Sequence, residues 1–529
     1  MLVDLLTARG EELLQSRETP WTIYPRPQMR RDSYVNLNDC WEFSVNYENQ
    51  GLIRLPFCPE SRLSGFGKHY EDGSLLCYSR QFTLPEGFCR GRVLLHIGAA
   101  DQRADVFLNG KPVGSHKGGY AAFSLDITQA LEENNRLSIC CFDDLEDQTY
   151  PYGKQTRTRG GMWYTPVSGI WQSVWLESVP ENYIQKLNIE NRGYSVTISI
   201  QPKLDGKVIV PGLGEFMLTD GAVTISPEAP HLWSPEDPYL YDFVVETGED
   251  RVESYFAIRS LEVKKVGDYP RLCLNGKPYF FHGLLDQGYW PDGIFTPAKP
   301  ECYADDILAM KRLGFNTLRK HIKVEPEEFY YQCDKLGMIV WQDMVNNGPY
   351  LYMRDTVLPT ILPASQTRSD KQFHTDPQQQ KAFLEGMTAT VAQLKNQLRN
   401  AQVASDDRLQ EKLDAALARC AQLEAQLANV PAPAEAPAAP AAPTEQELEA
   451  YRRAEQAERL AMERAQQIYT QANAILADTT AKAETAYACI SDLAQQANAQ
   501  MQAYQEAIAG SQSLFRDAVD ALSAVKPEF

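Results

Sequence analysis

Positive charge is scarce: 51 Lys and Arg stand against 70 Asp and Glu, a formal net charge of −19 over 529 residues. Such an acidic balance repels phosphate backbones and argues against nucleic acid as a partner. Long apolar runs are missing too. No stretch reaches the roughly 18 uncharged apolar residues that a membrane-spanning helix needs, so no span is expected. The N-terminus, MLVDLLTARGEELLQ, interrupts its apolar positions with Asp4, Arg9, Glu11 and Glu12. It lacks the uncharged core of a secretory signal, and the expectation is a cytoplasmic protein. Eleven cysteines, an odd number, include no C-x-x-C pair. Reduced, mostly buried thiols are the reading that fits. No zinc-ligand cluster is visible among the His and Cys residues, so neither a metal nor another cofactor is expected.

Trp and His are absent from residues 386–529, which are rich in Ala, Gln, Glu and Leu. All eight Trp lie before that point. Globular composition does not drift in this way, whereas long helices and coiled coils look like the second half.

What the first half contains is short runs of β-branched and aromatic residues separated by turn residues. Val93–Ile97, Ala104–Leu108, Leu137–Phe142 and Val174–Glu177 alternate apolar with polar positions. Asn109-Gly110 supplies the positive φ angles of a tight hairpin. Residues 1–180 therefore read as an antiparallel β-sandwich. Residues 181–263, with strands expected at Tyr194–Gln201, Val223–Ser226 and Tyr239–Glu246, have the size of an immunoglobulin-like sandwich. From about 264 the pattern becomes strand–helix alternation. Strands are expected at Tyr279–Leu284, Asn316–His321 and Met338–Gln342. Helices are expected at Tyr303–Leu313, Pro326–Leu336 and Gln378–Leu394, the first two closed by Gly314 and Gly337. Three βα units over residues 264–385 match the pace of a (β/α)8 barrel.

Several stretches resemble glycoside hydrolase family 2, the β-galactosidases, β-glucuronidases and β-mannosidases. ADVFLNGKPVG at Ala104–Gly114, HKGGY at His116–Tyr120 and FSLDIT at Phe123–Thr128 look like its sugar-binding jelly roll. GMWYTPVSGIWQSVWLE at Gly161–Glu177 is similar to the end of that domain. LNGKPYFFHGLLDQGYW at Leu274–Trp290 resembles the barrel entry, and LGFNTLRKH at Leu313–His321 and DKLGMIVWQD at Asp334–Asp343 resemble the next two units. The resemblance covers about 20–385 and implies a jelly roll, an immunoglobulin-like sandwich and a partial barrel. It also implies hydrolysis of β-glycosides, with a carbohydrate as ligand.

Glycoside hydrolysis needs two carboxyl groups flanking the scissile bond. In this family the acid/base is a Glu preceded by Asn at the end of the fourth strand, and the nucleophile is a Glu on the seventh. No Asn-Glu pair follows residue 385, and no later strand is legible. Neither catalytic residue is carried over, and an inactive chain is the expectation. Strand-end groups in the intact family line the sugar pocket, which makes Asp286, Arg319, His321, Asp343 and Asn346 the substrate-binding candidates. The plainer reading is that Arg319 and His321 pair with Asp343 or Glu325 to satisfy a rim. Tyr289, Trp290 and Trp341 suit sugar stacking and core packing equally well.

Residues 386–430 carry a heptad pattern with a stutter and read as a coiled-coil helix. Residues 431–445 are an Ala/Pro linker, and 446–529 a second long helix with an apolar stripe. The tail has a weak, compositional resemblance to bacterial cell-division-initiation coiled-coil proteins. An oligomer built through the tail is one expectation. It opens an alternative to the enzyme: a carbohydrate-binding or scaffold protein displayed on a coiled coil. The change of composition falls inside a helix, as a recombined gene would produce, although an evolved architecture is the other possibility.

Overall fold

The structure is a computed structural model that describes residues 5–16, 18–145, 147–157, 161–348, 350, 377–398 and 402–403. The heptads beyond 398, the Ala/Pro linker and the helix expected at 446–529 lie outside the described residues.

Period-two alternation builds the first sandwich. In Asn135–Phe142, residues Leu137, Ile139 and Cys141 point inward, and the side chains between them are more exposed. Six antiparallel strands form one sheet, ordered Glu48–Leu55, Asp39–Val45, Leu75–Phe82, Asn135–Phe142, Arg103–Leu108 and Lys111–Lys117. The facing sheet is ordered Tyr34–Asn36, Val174–Val179, Arg92–Ile97 and Phe123–Asp126. Between them Trp41, Ile53, Tyr78, Leu95, Val106 and Leu176 are fully buried. The hairpin at Asn109-Gly110 turns with φ angles of 53° and 76°, the left-handed pair expected of a two-residue loop. One expectation is corrected here. Cys77 and Cys140 occupy opposite positions on neighbouring strands and are joined as a disulfide. Cys40 and Cys89 are exposed free thiols, while Cys58, Cys141, Cys273, Cys302 and Cys333 are free and buried.

The second sandwich packs Lys186–Arg192, Ser195–Gln201 and Ala222–Ile225 against Gly214–Leu218, Gly206–Val210, Tyr241–Thr247 and Asp250–Phe256. Its core holds Ile189, Ile198, Val208, Phe243 and Phe256.

After it come three parallel strands, Gly283–Asp286, Thr317–Lys320 and Ile339–Gln342, paired in register with Asp286, Lys320 and Gln342 level at their C-terminal ends. Helices Glu301–Arg312 and Glu327–Leu336 connect them. The strand expected at Tyr279–Leu284 begins instead at Gly283. Tyr279 is held elsewhere: its N–H donates to Leu272 O at 3.1 Å and its hydroxyl to Glu236 at 2.6 Å. Tyr279 and Phe281 thus pack on the small cluster of Trp233, Ala257, Leu274 and Ile339, and Phe280 stays 78% exposed. A further helix, Pro377–Leu398, runs through the composition boundary without a break. No helix among the described residues is long and apolar enough to cross a membrane.

Candidate functional site

Alternation along Thr317–Lys320 sends neighbouring charges to opposite faces of the parallel sheet. Arg319 lies level with Leu285 and Trp341, a face left open enough for all three to be exposed. Lys320 goes to the helix-covered face, over the ring of Phe329 at 4.3 Å.

On the open face three of the candidates converge. The guanidinium of Arg319 donates two hydrogen bonds to Asp343, Nε to Oδ1 at 3.1 Å and Nη2 to Oδ2 at 2.9 Å. His321 Nδ1 lies 2.8 Å from Asp343 Oδ2. Burial alone would raise the Asp343 carboxyl, but the bonds from Arg319 and His321 outweigh it and hold the group below its ordinary range. Tyr164, from the first sandwich, meets His321 edge-on with ring centroids 6.2 Å apart and stacks on Tyr289 at 5.2 Å.

Asp286 does not join them. Its carboxylate pairs with Lys320 Nζ at 2.7 Å and accepts from Gly288 N at 2.9 Å. Burial pushes it up and the Lys320 ammonium pulls it down further, so it too sits below the usual carboxylate range. Lys320 is shared with Glu325 at 2.8 Å, and Glu325 takes Lys323 at 2.9 Å and the Tyr303 hydroxyl at 3.0 Å. Burial drives Lys323 down to about 8, against the opposing pull of Glu325. This buried cluster of Lys320, Lys323 and Glu325 was not singled out from the sequence. The signal was available: a run of seven residues, Arg319 to Glu325, with five ionisable groups in a segment otherwise packed as core.

Asn346 enters the rim through its backbone, its carbonyl accepting from Tyr152 N at 3.0 Å. Its side-chain Oδ1 is buried with no partner among the described residues. Next to it Asn347 Nδ2 donates to Thr149 O at 2.8 Å and Gln379 O at 3.0 Å. A cavity of about 200 Å³ opens beside this junction, lined by Tyr150, Met344 and Phe383 among others. The rim is therefore built jointly from strand ends and from a loop of the first sandwich. Chemically it offers a fixed acceptor, Asp343, with imidazole and guanidinium donors around it. Neither aspartate carries a proton near neutrality. Among the described residues no cluster of His, Cys, Asp and Glu could hold a metal ion.

Residues 69–180 match the family described as "Glycosyl hydrolases family 2, sugar binding domain", and residues 180–259 match "Glycosyl hydrolases family 2". A β-galactosidase of Thermoanaerobacter pseudethanolicus is 25% identical over 336 residues, 58% of this chain and 44% of the relative. A β-glucuronidase of Bacteroides fragilis is 24% identical over 347 residues, 60% of this chain and 50% of the relative. The chain thus spans about half the length of the curated relatives it matches. The solved β-D-glucuronidase of Dictyoglomus thermophilum superposes with a TM-score of 0.56 at 20% identity, over 71% of this chain and 66% of that one.

Proposed function

From the premise that the chain belongs to glycosyl hydrolases family 2, we propose that it recognises a β-linked carbohydrate at the Arg319–His321–Asp343 rim without hydrolysing it. On this reading the three parallel strands are the first βα units of a (β/α)8 barrel, and Asn346 flanks the sugar pocket, with Asp286 paired to Lys320 on the other face of the sheet. The observation that carries the proposal is the state of the rim carboxylates. A glycosidase needs one carboxyl held protonated as general acid. Asp343 and Asp286 are both held below their ordinary range by cations at hydrogen-bond distance. Such groups accept hydrogen bonds from hydroxyls and cannot donate a proton at neutral pH. The sequence supports the same reading, because neither family carboxylate has a counterpart after residue 385. The relatives named above make a galactoside or a glucuronide the first sugars to try.

Calorimetric titration of the whole chain with D-galactose, D-glucuronate and D-mannose tests the rim. One of the three binds, and Asp343→Asn weakens it about tenfold, the loss of one charged hydrogen-bond acceptor. No binding by any of them, or binding indifferent to Asp343→Asn, sinks the proposal.

A further inference from the structure

A groove of about 520 Å³ lies where the second sandwich, the segment around Tyr24–Arg30 and helix Glu327–Leu336 meet. It shares no residue with the rim, and its volume falls in the range of small-molecule sites, about 300–1,000 Å³. Its aromatic walls come from Tyr24 and from Tyr331, the latter packed on Tyr255 with ring centroids 5.1 Å apart. Along Asp250–Phe256, Ser254 turns into the sandwich core with Val252 and Phe256, and Glu253 and Tyr255 turn toward the groove.

The charges narrow the ligand. Glu328, 7% exposed, accepts from Gln332 Nε2 at 2.6 Å and presents its carboxyl beside Asp242 and Glu253. Arg30 is the cation among the lining residues, its backbone pinned to that of Glu253 by two 2.9 Å hydrogen bonds. Glu253 is already paired with Arg251 at 2.6 Å, which leaves Asp242 and Glu328 against Arg30, an acidic excess that disfavours an anion. Aromatic faces beside acceptors suit a molecule with apolar C–H faces and many hydroxyl donors. We propose that this groove is a second carbohydrate-binding site, selective for neutral oligosaccharides and independent of the rim.

Titration of the whole chain with cellotetraose, mannotetraose and tetragalacturonic acid, followed by saturation-transfer NMR, tests it. At least one neutral tetrasaccharide binds and the acidic one does not. Tyr331→Ala weakens binding about tenfold, the effect of losing one stacking contact. Arg30→Ala, at an exposed position that leaves the melting curve unchanged, weakens it about threefold. Asp343→Asn leaves it as it was, which separates this groove from the rim. The proposal is overturned if neither neutral sugar binds, if tetragalacturonic acid binds as well as they do, or if binding is lost with Asp343→Asn and kept in both groove variants.

Discussion

Lys320 has 1% of its side chain exposed and sits between Asp286 and Glu325, whereas Arg319, one residue earlier, is 54% exposed and faces Asp343. Burial decides what each pair contributes. Removing the charge from Glu325, whose side chain is fully buried, strands the Lys323 ammonium in a poorly solvated space and leaves Lys320 with Asp286 alone. Glu325→Gln is expected to cost about 3–5 kcal/mol in denaturant unfolding, and a change under about 1 kcal/mol would show the cluster is not held by charge. The half-solvated pair is different: Asp343→Asn should change stability by no more than about 1 kcal/mol, so its effect on sugar binding is read cleanly. At this scale the site was partly legible. Arg319, His321 and Asp343 were visible as strand-end polar groups, and their mutual pairing was the plainer of the two readings. Asp286 was grouped with them because the sequence shows that a strand ends there but not which face it turns; that depends on where helices Glu301–Arg312 and Glu327–Leu336 cover the sheet.

Helix Glu327–Leu336 meets the second sandwich at Tyr331, packed on Tyr255, and at Asp334. Asp334 accepts from Arg259 Nη2 at 2.8 Å and from the Tyr255 hydroxyl at 3.2 Å, while its own carbonyl accepts from Trp233 Nε1 at 2.7 Å. Arg259 also covers the Trp233 ring at 4.1 Å. Arg259→Ala should therefore lower stability by about 3–5 kcal/mol, because it leaves a buried carboxylate unpaired; a melting temperature within about 2 °C of the parent would contradict this. The strands were largely legible because one buried face imposes period two, as in Asn135–Phe142. The exception, Tyr279–Leu284, has the apolar content of a strand but turns Tyr279 and Phe281 onto Trp233 and Ala257, with Tyr279 held by its own hairpin at Leu272 and by Glu236, 43 residues earlier. Helix Ala8–Gln15 was hidden for a similar reason. Its N-cap Thr7 is fixed by Asp292, 285 positions away, and no local pattern reports that contact.

Across the whole molecule, the acids that respond near neutral pH lie away from the rim: Glu327 at the start of its helix, raised to about 7 chiefly by burial, and a group in the first sandwich. Burial lifts Glu60 to about 7 despite bonds from Ser168, and lifts Asp101 to about 7 despite Gln155 and with the help of Glu60. Asp143 is raised well above its ordinary value by burial and by Asp101, Glu60 and Asp72, with Arg157 opposing. A raised carboxyl holds protons in the folded state that the unfolded chain releases, so stability falls as pH climbs from the unfolded values toward about 7. The melting temperature should rise on going from pH 7.5 to 5.5, and Asp101→Asn should flatten that rise; a melting temperature that drops over the same interval would contradict the assignment. The rim obeys the opposite sign. Asp286 and Asp343, both held low, lend stability above their unfolded value, and it is lost only as pH falls below about 4. The proposed function has ionised rim carboxylates accept hydrogen bonds from a sugar without cleaving it, and the decisive measurement is turnover. The whole chain should release nitrophenol from β-galactoside, β-glucuronide and β-mannoside substrates no faster than buffer does. Turnover that survives substitutions in the tail and disappears with Asp343→Asn would contradict the account.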